Sequence, residues 1–260
     1  MISILSNSTK ASRSKIKIWS VAFWLILWQL VSMAIGQQLI MVSPIQVVCR
    51  LSELIVTNGF WKSIANTSIR IVLGFSLGVL FGIILAVLSA RFKTMEELFA
   101  PVLLAIKAVP VASFVILVLI LFSSKNLAII ISLLMVLPVV YSNILGGIRA
   151  ADDQLLEMAT VFRIPLWRRL RYVYIPQVFP YFTSACASGL GMSWKSGVAA
   201  EVIGIPTGSI GEKLYEAKVY FDTPDLFAWT LVIVLVSLLF ERVFNLILLA
   251  LQAWMERLPE

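Results

Sequence analysis

Long apolar runs joined by short polar connections are the feature that most restricts the folds open to this chain. Crossing the hydrocarbon core of a bilayer takes about 20 helical residues. Six runs come close to that length or exceed it, at 19–35, 64–90, 102–122, 127–145, 181–198 and 226–249. The connections between them leave no room for a separate water-soluble core. The sequence therefore predicts an all-α polytopic membrane protein with about six transmembrane helices.

Composition and charge narrow the function further. The chain is 60% hydrophobic and 13% charged, which is typical of a membrane protein rather than a soluble domain. Its net charge of +7 does not indicate nucleic-acid binding, because the basic residues lie between the apolar runs and not along one face. There is no His, and Cys49 and Cys186 are isolated, so we expect neither a disulfide framework nor a metal site.

The basic residues predict the orientation of the chain. A cytoplasmic amino terminus places most of them on the cytoplasmic side, as the positive-inside rule requires. These are Arg91, Lys93, Arg149, Arg163, Arg168, Arg169, Arg171 and Arg257. The first run follows basic residues as in a signal peptide, but no small-residue cleavage site comes after it, so we expect a retained span. Both termini are then cytoplasmic.

Two connections on the opposite side carry a pattern. Ser43-Pro44 and the apolar spacing up to Ile55 suit a helix at the outer interface, although a plain surface connector fits as well. The glycine-rich stretch 204–211 is expected to form part of an outer gate, or a turn before a helix containing Leu214 and Ala217. In the last run, Glu241 and Arg242 are expected to form a structural pair or a contact between subunits.

The longest cytoplasmic connection, 149–177, is patterned like two short helices. Asp152 and Asp153 suit a first helical turn, and Leu155, Ala159 and Phe162 then recur on one face. Pro165 can open a second helix at its first position, and Pro176 is expected to break the register before the next span. The pattern alone fits either a docking segment for another subunit or a basic amphipathic segment on anionic lipid.

A resemblance to a known family favours docking. Glu157-Met158-Ala159, Arg163 and Ile175-Pro176 resemble the Glu-Ala-Ala loop of ABC importer permeases. Met158 replaces the middle Ala of that motif, and Arg163 stands where Gly is usual. The similarity covers nearly the whole chain and is closest to the nitrate, sulfonate, taurine and bicarbonate branch. Supporting segments are 43–44, 68–70 with Gly74, 109–110 and, most specifically, 194–204, whereas 121–124 departs from the usual Phe-Gly ending.

The resemblance implies a type I importer permease, or MetI-like, fold in the cell inner membrane. It divides the chain into a cytoplasmic segment 1–18, a permease domain 19–250 containing the coupling loop 149–177, and a cytoplasmic tail 251–260. The implied partners are two ATPase subunits, an extracytoplasmic binding protein and a second permease subunit, commonly identical. The chain would not be an enzyme and would hold no cofactor, since ATP is bound by the partner ATPases and no phosphate-binding loop is present here.

The resemblance and the intramembrane charges indicate which residues are candidates for contacting the ATPase and for lining the translocation pathway. Carried over by position, those that contact the ATPase or shape the loop are Glu157, Ala159, Arg163, Pro165 and Pro176. Candidates for the translocation pathway are Lys107, Pro110, Ser193, Trp194, Lys195 and Glu201. A lysine inside a span suits an anionic substrate. It can also pair with a carboxylate such as Glu201 or extend to an interface, and Trp194 can be an interfacial anchor.

The expected substrate is a small organic or inorganic anion such as a sulfonate, taurine or nitrate, with a pyrimidine or other aromatic nitrogen compound as the alternative. Three other classes fit less well. A coupling subunit of the energy-coupling-factor type lacks the match across the fifth run. An ion-driven secondary transporter should show repeated halves and acidic groups at mid-membrane, which we do not find. A membrane enzyme needs a convergent catalytic set, and the absence of His and the scattered acids argue against one.

Overall fold

The computed structural model describes residues 17–37 and 41–256, without the side chains of 254 and 256, so most of the expected segment 1–18 and the end of the tail lie outside it. The described residues form helices and connecting turns. In chain order the α-helices are α1 Ile18–Ile35, α2 Pro44–Ile55, α3 Asn58–Arg91, α4 Lys93–Ala108, α5 Val111–Leu121, α6 Ser124–Arg149, α7 Asp153–Val161, α8 Leu166–Arg169, α9 Ile175–Gly204, α10 Ile210–Val219 and α11 Thr223–Glu256.

The all-α polytopic prediction is confirmed. In the described part, α1, α3, α6 and α11 are each long and apolar enough to cross a membrane, and α4 with α5 makes a fifth candidate span. Helix α9 has 30 residues, which is about 45 Å of helix. Its many Gly, Ala and Ser residues make it less apolar than the others. The predicted runs thus coincide with long helices at five of the six positions.

The third predicted span, 102–122, is wrong as a single helix. Helix α4 ends at Ala108 and α5 begins at Val111, and their axes differ by 109°. The cause is Pro110, since a residue that precedes a proline is driven out of the helical region. Val109 accordingly has φ −77° and ψ 132°. The chain turns sharply at Val109-Pro110, and Lys107 lies just before the turn.

The centre of the fold is a close contact between α3 and α6. Gly74, Gly78 and Gly82 face α6 one helical turn apart, and a β-carbon added at Gly78 would lie 2.8 Å from Val136 Cβ. Small residues at this spacing let two membrane helices approach closely. Helix α9 packs against both α3 and α6, since a β-carbon added at Gly189 would lie 3.4 Å from Val136 and 3.5 Å from Phe75. Helices α3, α6 and α9 therefore form one core.

Helix α2 settles the open question about the first connection in favour of a helix. Ser43 and Gln46 form a capping box, in which each side chain accepts a hydrogen bond from the other residue's backbone N–H. Val47 is buried, whereas Ile45 is exposed on the other face. Arg50 ties α2 to the start of α11 by an ion pair with Asp225. Hydrogen bonds to Asp225 and Glu53 raise the pKa of Arg50.

The segment between α7 and α9 differs from prediction at both prolines. Pro165 is the N-cap of α8 and not its first helical residue. Pro176 does not break the chain: α8 runs through a five-residue π-helix, Leu170–Tyr174, into α9. Pro176 sits in the first turn of α9, where its missing N–H is tolerated. The wider π turn just before it gives the proline ring room that a regular α turn lacks.

Candidate functional site

The loop 149–177, which is predicted to contact the ATPases, is built around α7. Asp152 is the N-cap of α7, and its side chain accepts a hydrogen bond from the backbone N–H of Gln154 at 2.9 Å. The backbone N–H of Asp152 donates to Gln177 Oε1 at 2.8 Å, which fixes the start of α7 against α9. Ala159 is fully buried, whereas Glu157 is exposed. The helix thus has an inner face that the subunit covers and an outer face that it leaves open.

The turn after α7 explains how Arg163 can stand at a glycine position. Arg163 has φ 49°, the left-handed conformation that glycine adopts most easily. Its N–H bonds to Thr160 O at 3.1 Å, and the N–H of Ile164 bonds to Ala159 O at 2.9 Å. These two bonds define a Schellman motif, and Pro165 follows it as expected for a helix stop. The turn keeps its geometry without glycine.

Arg169, which sequence reasoning did not single out, fastens the two halves of the loop. Its Nη2 donates to Leu156 O at 3.1 Å and also to Thr160 Oγ1. Both acceptors lie on α7, whereas Arg169 ends α8. The only sequence signal was a cluster of three arginines, which read equally well as contacts to lipid. The loop is therefore a fastened helical hairpin.

The open side of the hairpin is strongly apolar. Four large side chains on either side of the turn keep most of their surface exposed: Val161 77%, Phe162 73%, Leu166 75% and Trp167 72%. The predicted stripe of Leu155, Ala159 and Phe162 is thus only partly covered by the subunit itself. A contiguous exposed apolar patch is typical of a surface that contacts another protein or a membrane.

The two candidate lysines lie in different surroundings. Lys107 is exposed at the end of α4, and its Nζ donates to Ser142 Oγ of α6 at 2.8 Å. Pro110 lies at the bend that follows. Lys195 is exposed on α9 and takes part in none of the hydrogen bonds or ion pairs found in the described ranges 17–37 and 41–256. Lys195 is thus a cation with no partner in the described subunit.

Lys195 lines a groove between α9 and α11. The groove has a volume of about 360 Å³, and Trp194, Glu241 and Ser237 also line it. The indole of Trp194 is 3% exposed and packs 6.1 Å from the ring of Phe240. The expected pair of Glu241 with Arg242 is absent from the ion pairs of the described chain. Two opposite charges thus line one groove.

Glu201 and Ser193 face the interior of the subunit. Glu201 is fully buried and accepts hydrogen bonds from Thr67 Oγ1 at 2.7 Å and Arg70 Nη1 at 3.2 Å. It also accepts from the backbone N–H of Gly211 at 3.4 Å, at the start of α10. Buried Ser193 accepts a bond on its carbonyl oxygen from Ser132 Oγ at 3.1 Å. Glu201 is paired with Arg70, so Lys195 is left without it.

The sequence of this chain is similar to those of known transport proteins. Residues 78–258 match the family described as "Binding-protein-dependent transport system inner membrane component". SsuC of Bacillus subtilis (strain 168), which bears the name of an aliphatic sulfonates transport permease, is 25% identical over 231 residues, covering 88% of this chain and 83% of that protein. The riboflavin transport system permease RibX of Chloroflexus aurantiacus is 26% identical over 217 residues, covering 82% of this chain and 80% of that protein.

The fold is similar to that of a solved transporter. A crystal structure of an amino acid ABC transporter with histidines superposes with a TM-score of 0.58 at 20% identity, covering 80% of this chain and 98% of that one. The family match spans well over half of the chain, from within α3 to the end of α11. This chain therefore belongs to the binding-protein-dependent family of ABC importer permeases, and it is a membrane transport subunit and not an enzyme.

Proposed function

We propose that this chain forms the translocation pathway for a small organic or inorganic anion, such as a sulfonate, taurine or nitrate. An extracytoplasmic binding protein delivers the anion. Two ATPase subunits, which alone bind ATP, drive transport through the loop 152–176. A second, identical permease subunit completes the pathway in the inner membrane, and both termini of each permease are cytoplasmic.

The observation that carries the coupling part of this proposal is the exposed apolar side of the α7–α8 hairpin. Burying a large apolar side chain contributes roughly 1.5–3 kcal/mol, and Val161, Phe162, Leu166 and Trp167 are all available for burial. The fastening by Arg169 lets the hairpin move as one body when a partner moves. Such a hairpin suits a partner that closes on binding ATP and transmits that motion to α9 through the π-helix.

The anionic substrate is supported by the charges of the membrane helices. Lys107 and Lys195 are both exposed beside helices that cross the membrane, and neither is paired with a carboxylate in the described ion pairs. Cations in such positions mark pathways for anions. The similarity to a permease named for aliphatic sulfonates agrees with this choice.

An aromatic nitrogen compound is the second candidate. The similarity to a riboflavin permease favours it, as does the indole of Trp194 at the groove beside Lys195. Measuring the uptake of a labelled sulfonate and a labelled pyrimidine offered together would separate the two candidates. Uptake of the sulfonate alone supports the anion, and uptake of the pyrimidine alone supports the aromatic compound.

Coupling is tested by co-expressing the chain with its neighbouring ATPase and purifying the chain by affinity from gently solubilised membranes. Because Ala159 is fully buried, substituting it would also unpack α7, so Glu157→Lys is the cleaner change. We expect Glu157→Lys to lower ATPase recovery at least ten-fold. Glu97→Lys, which reverses an exposed charge on α4, is the matched control and should recover as much ATPase as the native chain.

Two results would contradict the coupling proposal. Equal ATPase recovery with Glu157→Lys and the native chain would place the ATPase elsewhere on the subunit. No ATPase recovered with the native, well-folded chain would favour an ion-driven carrier, with the hairpin lying on lipid.

A further inference from the structure

The groove between α9 and α11 contains charges that the subunit does not neutralise. Lys195 and Glu241 both line it. Neither takes part in an ion pair or hydrogen bond among the residues described, 17–37 and 41–256. Charged side chains within membrane helices normally pair with each other or face a water-filled cavity. These two face the same cavity from opposite walls and still leave about 360 Å³ of space between the helices.

A third polar group without a partner lies buried beside the groove. The Trp194 side chain lines the cavity and is almost fully buried, and its Nε1 has no hydrogen-bond acceptor. A buried indole N–H normally finds an acceptor. The groove itself presents one donor, Lys195 Nζ, and one acceptor group, the Glu241 carboxylate. A ligand that satisfies both needs a negative and a positive end.

The remaining walls suit a small molecule. Leu190, Val198, Ile233 and Val234 make the rest of the lining mostly apolar. Gly191 opens the α9 wall, since no atom lies within 4 Å of the position its β-carbon would take. A volume of about 360 Å³ lies at the lower end of the range for small-ligand sites. Mostly apolar walls with a few placed polar groups are typical of such sites.

We propose that this groove is a subsite for a small zwitterion that carries a sulfonate or carboxylate at one end and an ammonium at the other. Lys195 binds the anionic end, and Glu241 binds the ammonium. A simple anion fits less well, because Glu241 would repel it at short range. This inference rests on the proposed importer function. Among the substrates proposed there it favours taurine, which carries an ammonium as well as a sulfonate, over nitrate and simple sulfonates.

The test is equilibrium binding to the complete transporter, permease with ATPase, in lipid nanodiscs. The probes are 2-aminoethanesulfonate and ethanesulfonate, which differ only in the amine. The native transporter should bind the aminosulfonate at least ten-fold more tightly. Glu241→Gln should abolish that preference while leaving ethanesulfonate affinity the same or higher. Lys195→Gln should weaken binding of both probes at least ten-fold.

Two further variants keep the test specific. Arg242→Gln removes a charge next to Glu241 that does not line the groove, and it should bind both probes like the native chain. Gly191→Leu fills the groove without changing a charge, and it should weaken both probes together. Thermal unfolding of each variant shows whether it is folded before its binding is compared.

Several results would overturn the proposal. One is an unchanged preference for the amine in Glu241→Gln, and another is the absence of binding of either probe to the native transporter. A third is a loss of permease pairing in Lys195→Gln and Glu241→Gln with unaltered selectivity, which would make the two charges a contact between copies. ATPase recovery is measured on the same samples, so a failure of the importer function, seen as missing ATPase, is distinguished from a failure of the subsite.

Discussion

Helix α9 ends in two very different surroundings. At its carboxyl end, Glu201 is enclosed by Thr67, Arg70 and the first turn of α10, and the subunit itself supplies every one of these contacts. At its amino end, the α7–α8 hairpin is fastened internally by Arg169 but leaves its apolar side uncovered. One end is covered by the chain itself, and the other leaves large apolar side chains exposed.

This contrast separates residues that stabilise the subunit from residues that we expect to bind a partner. Removing a partner from a buried carboxylate lowers the free energy of unfolding strongly. The contacts of Glu201 should therefore hold α3, α9 and α10 in one arrangement. An exposed apolar side chain contributes little to the isolated subunit, so the hairpin can be specialised for contact. We expect substitutions at the α10 end to lower the stability of the subunit, and substitutions on the open side of the hairpin to lower partner binding.

The largest effect is expected from Glu201→Ala. It leaves the largely buried Arg70 without its counter-ion and removes the acceptor of Thr67 Oγ1, which should lower the free energy of unfolding by about 3–5 kcal/mol. Denaturant unfolding in detergent, followed by Trp fluorescence, measures the change. Glu216→Ala, which breaks a more exposed pair with Lys213, should cost at most about 1 kcal/mol. Equal losses would remove the distinction drawn for the α10 end.

Gly211→Ala tests the α10 end of α9 by adding one methyl group without changing a charge. The added β-carbon would lie 2.3 Å from Glu201 Cβ, so α10 must shift away from α9. We expect a loss of about 1–3 kcal/mol in the same unfolding measurement. Gly146→Ala is the control, because it lies within α6 with nothing near its added β-carbon, and it should be neutral or stabilise by up to about 1 kcal/mol. A neutral Gly211→Ala would mean that the contact can relax.

Arg163→Gly should strengthen the hairpin. The left-handed conformation costs a non-glycine residue roughly 1–2 kcal/mol, and glycine removes most of that cost. Slower amide hydrogen exchange in α7 is the expected readout. Phe162→Gly, where φ is an ordinary −79°, should instead speed exchange, because glycine weakens a helix end that has no need of it. Faster exchange in Arg163→Gly would show that the arginine contributes a contact that outweighs its conformation.

Val161→Ser should have the smallest effect on stability. The side chain is 77% exposed, so unfolding should change by no more than about 0.5 kcal/mol, while ATPase recovery falls. Val140→Ser, at a fully buried position in α6, should cost about 1–3 kcal/mol by burying a hydroxyl. A marked loss of stability in Val161→Ser would mean that the open side is already covered within the subunit.

Local patterns in the sequence predicted much of the fold. Asp152 and the spacing after it placed the start of α7, because this signal acts over one helical turn. Ser43-Pro44 was consistent with a helix at α2 but fitted a plain connector as well. The pairing of Glu201 with Arg70 joins residues 131 positions apart, and nothing in either neighbourhood specifies the other. The groove between α9 and α11 likewise depends on how two helices pack. Pro110 marked the interruption of the third run, but the sequence did not specify the size of the bend, 109°.

The glycines of α3 also have a mechanical consequence. Gly74, Gly78 and Gly82 face Ser132, Val136 and Val140 of α6, so a slide of one residue would bring larger side chains against α6 at distances that atoms cannot adopt. We therefore expect α3 and α6 to resist sliding past each other and to move as one rigid unit. Deformation during transport should then concentrate where the backbone is already irregular, at the Val109-Pro110 bend and in the π-helix Leu170–Tyr174. If the hairpin is pulled by a partner, these two segments are where that force would become a rotation.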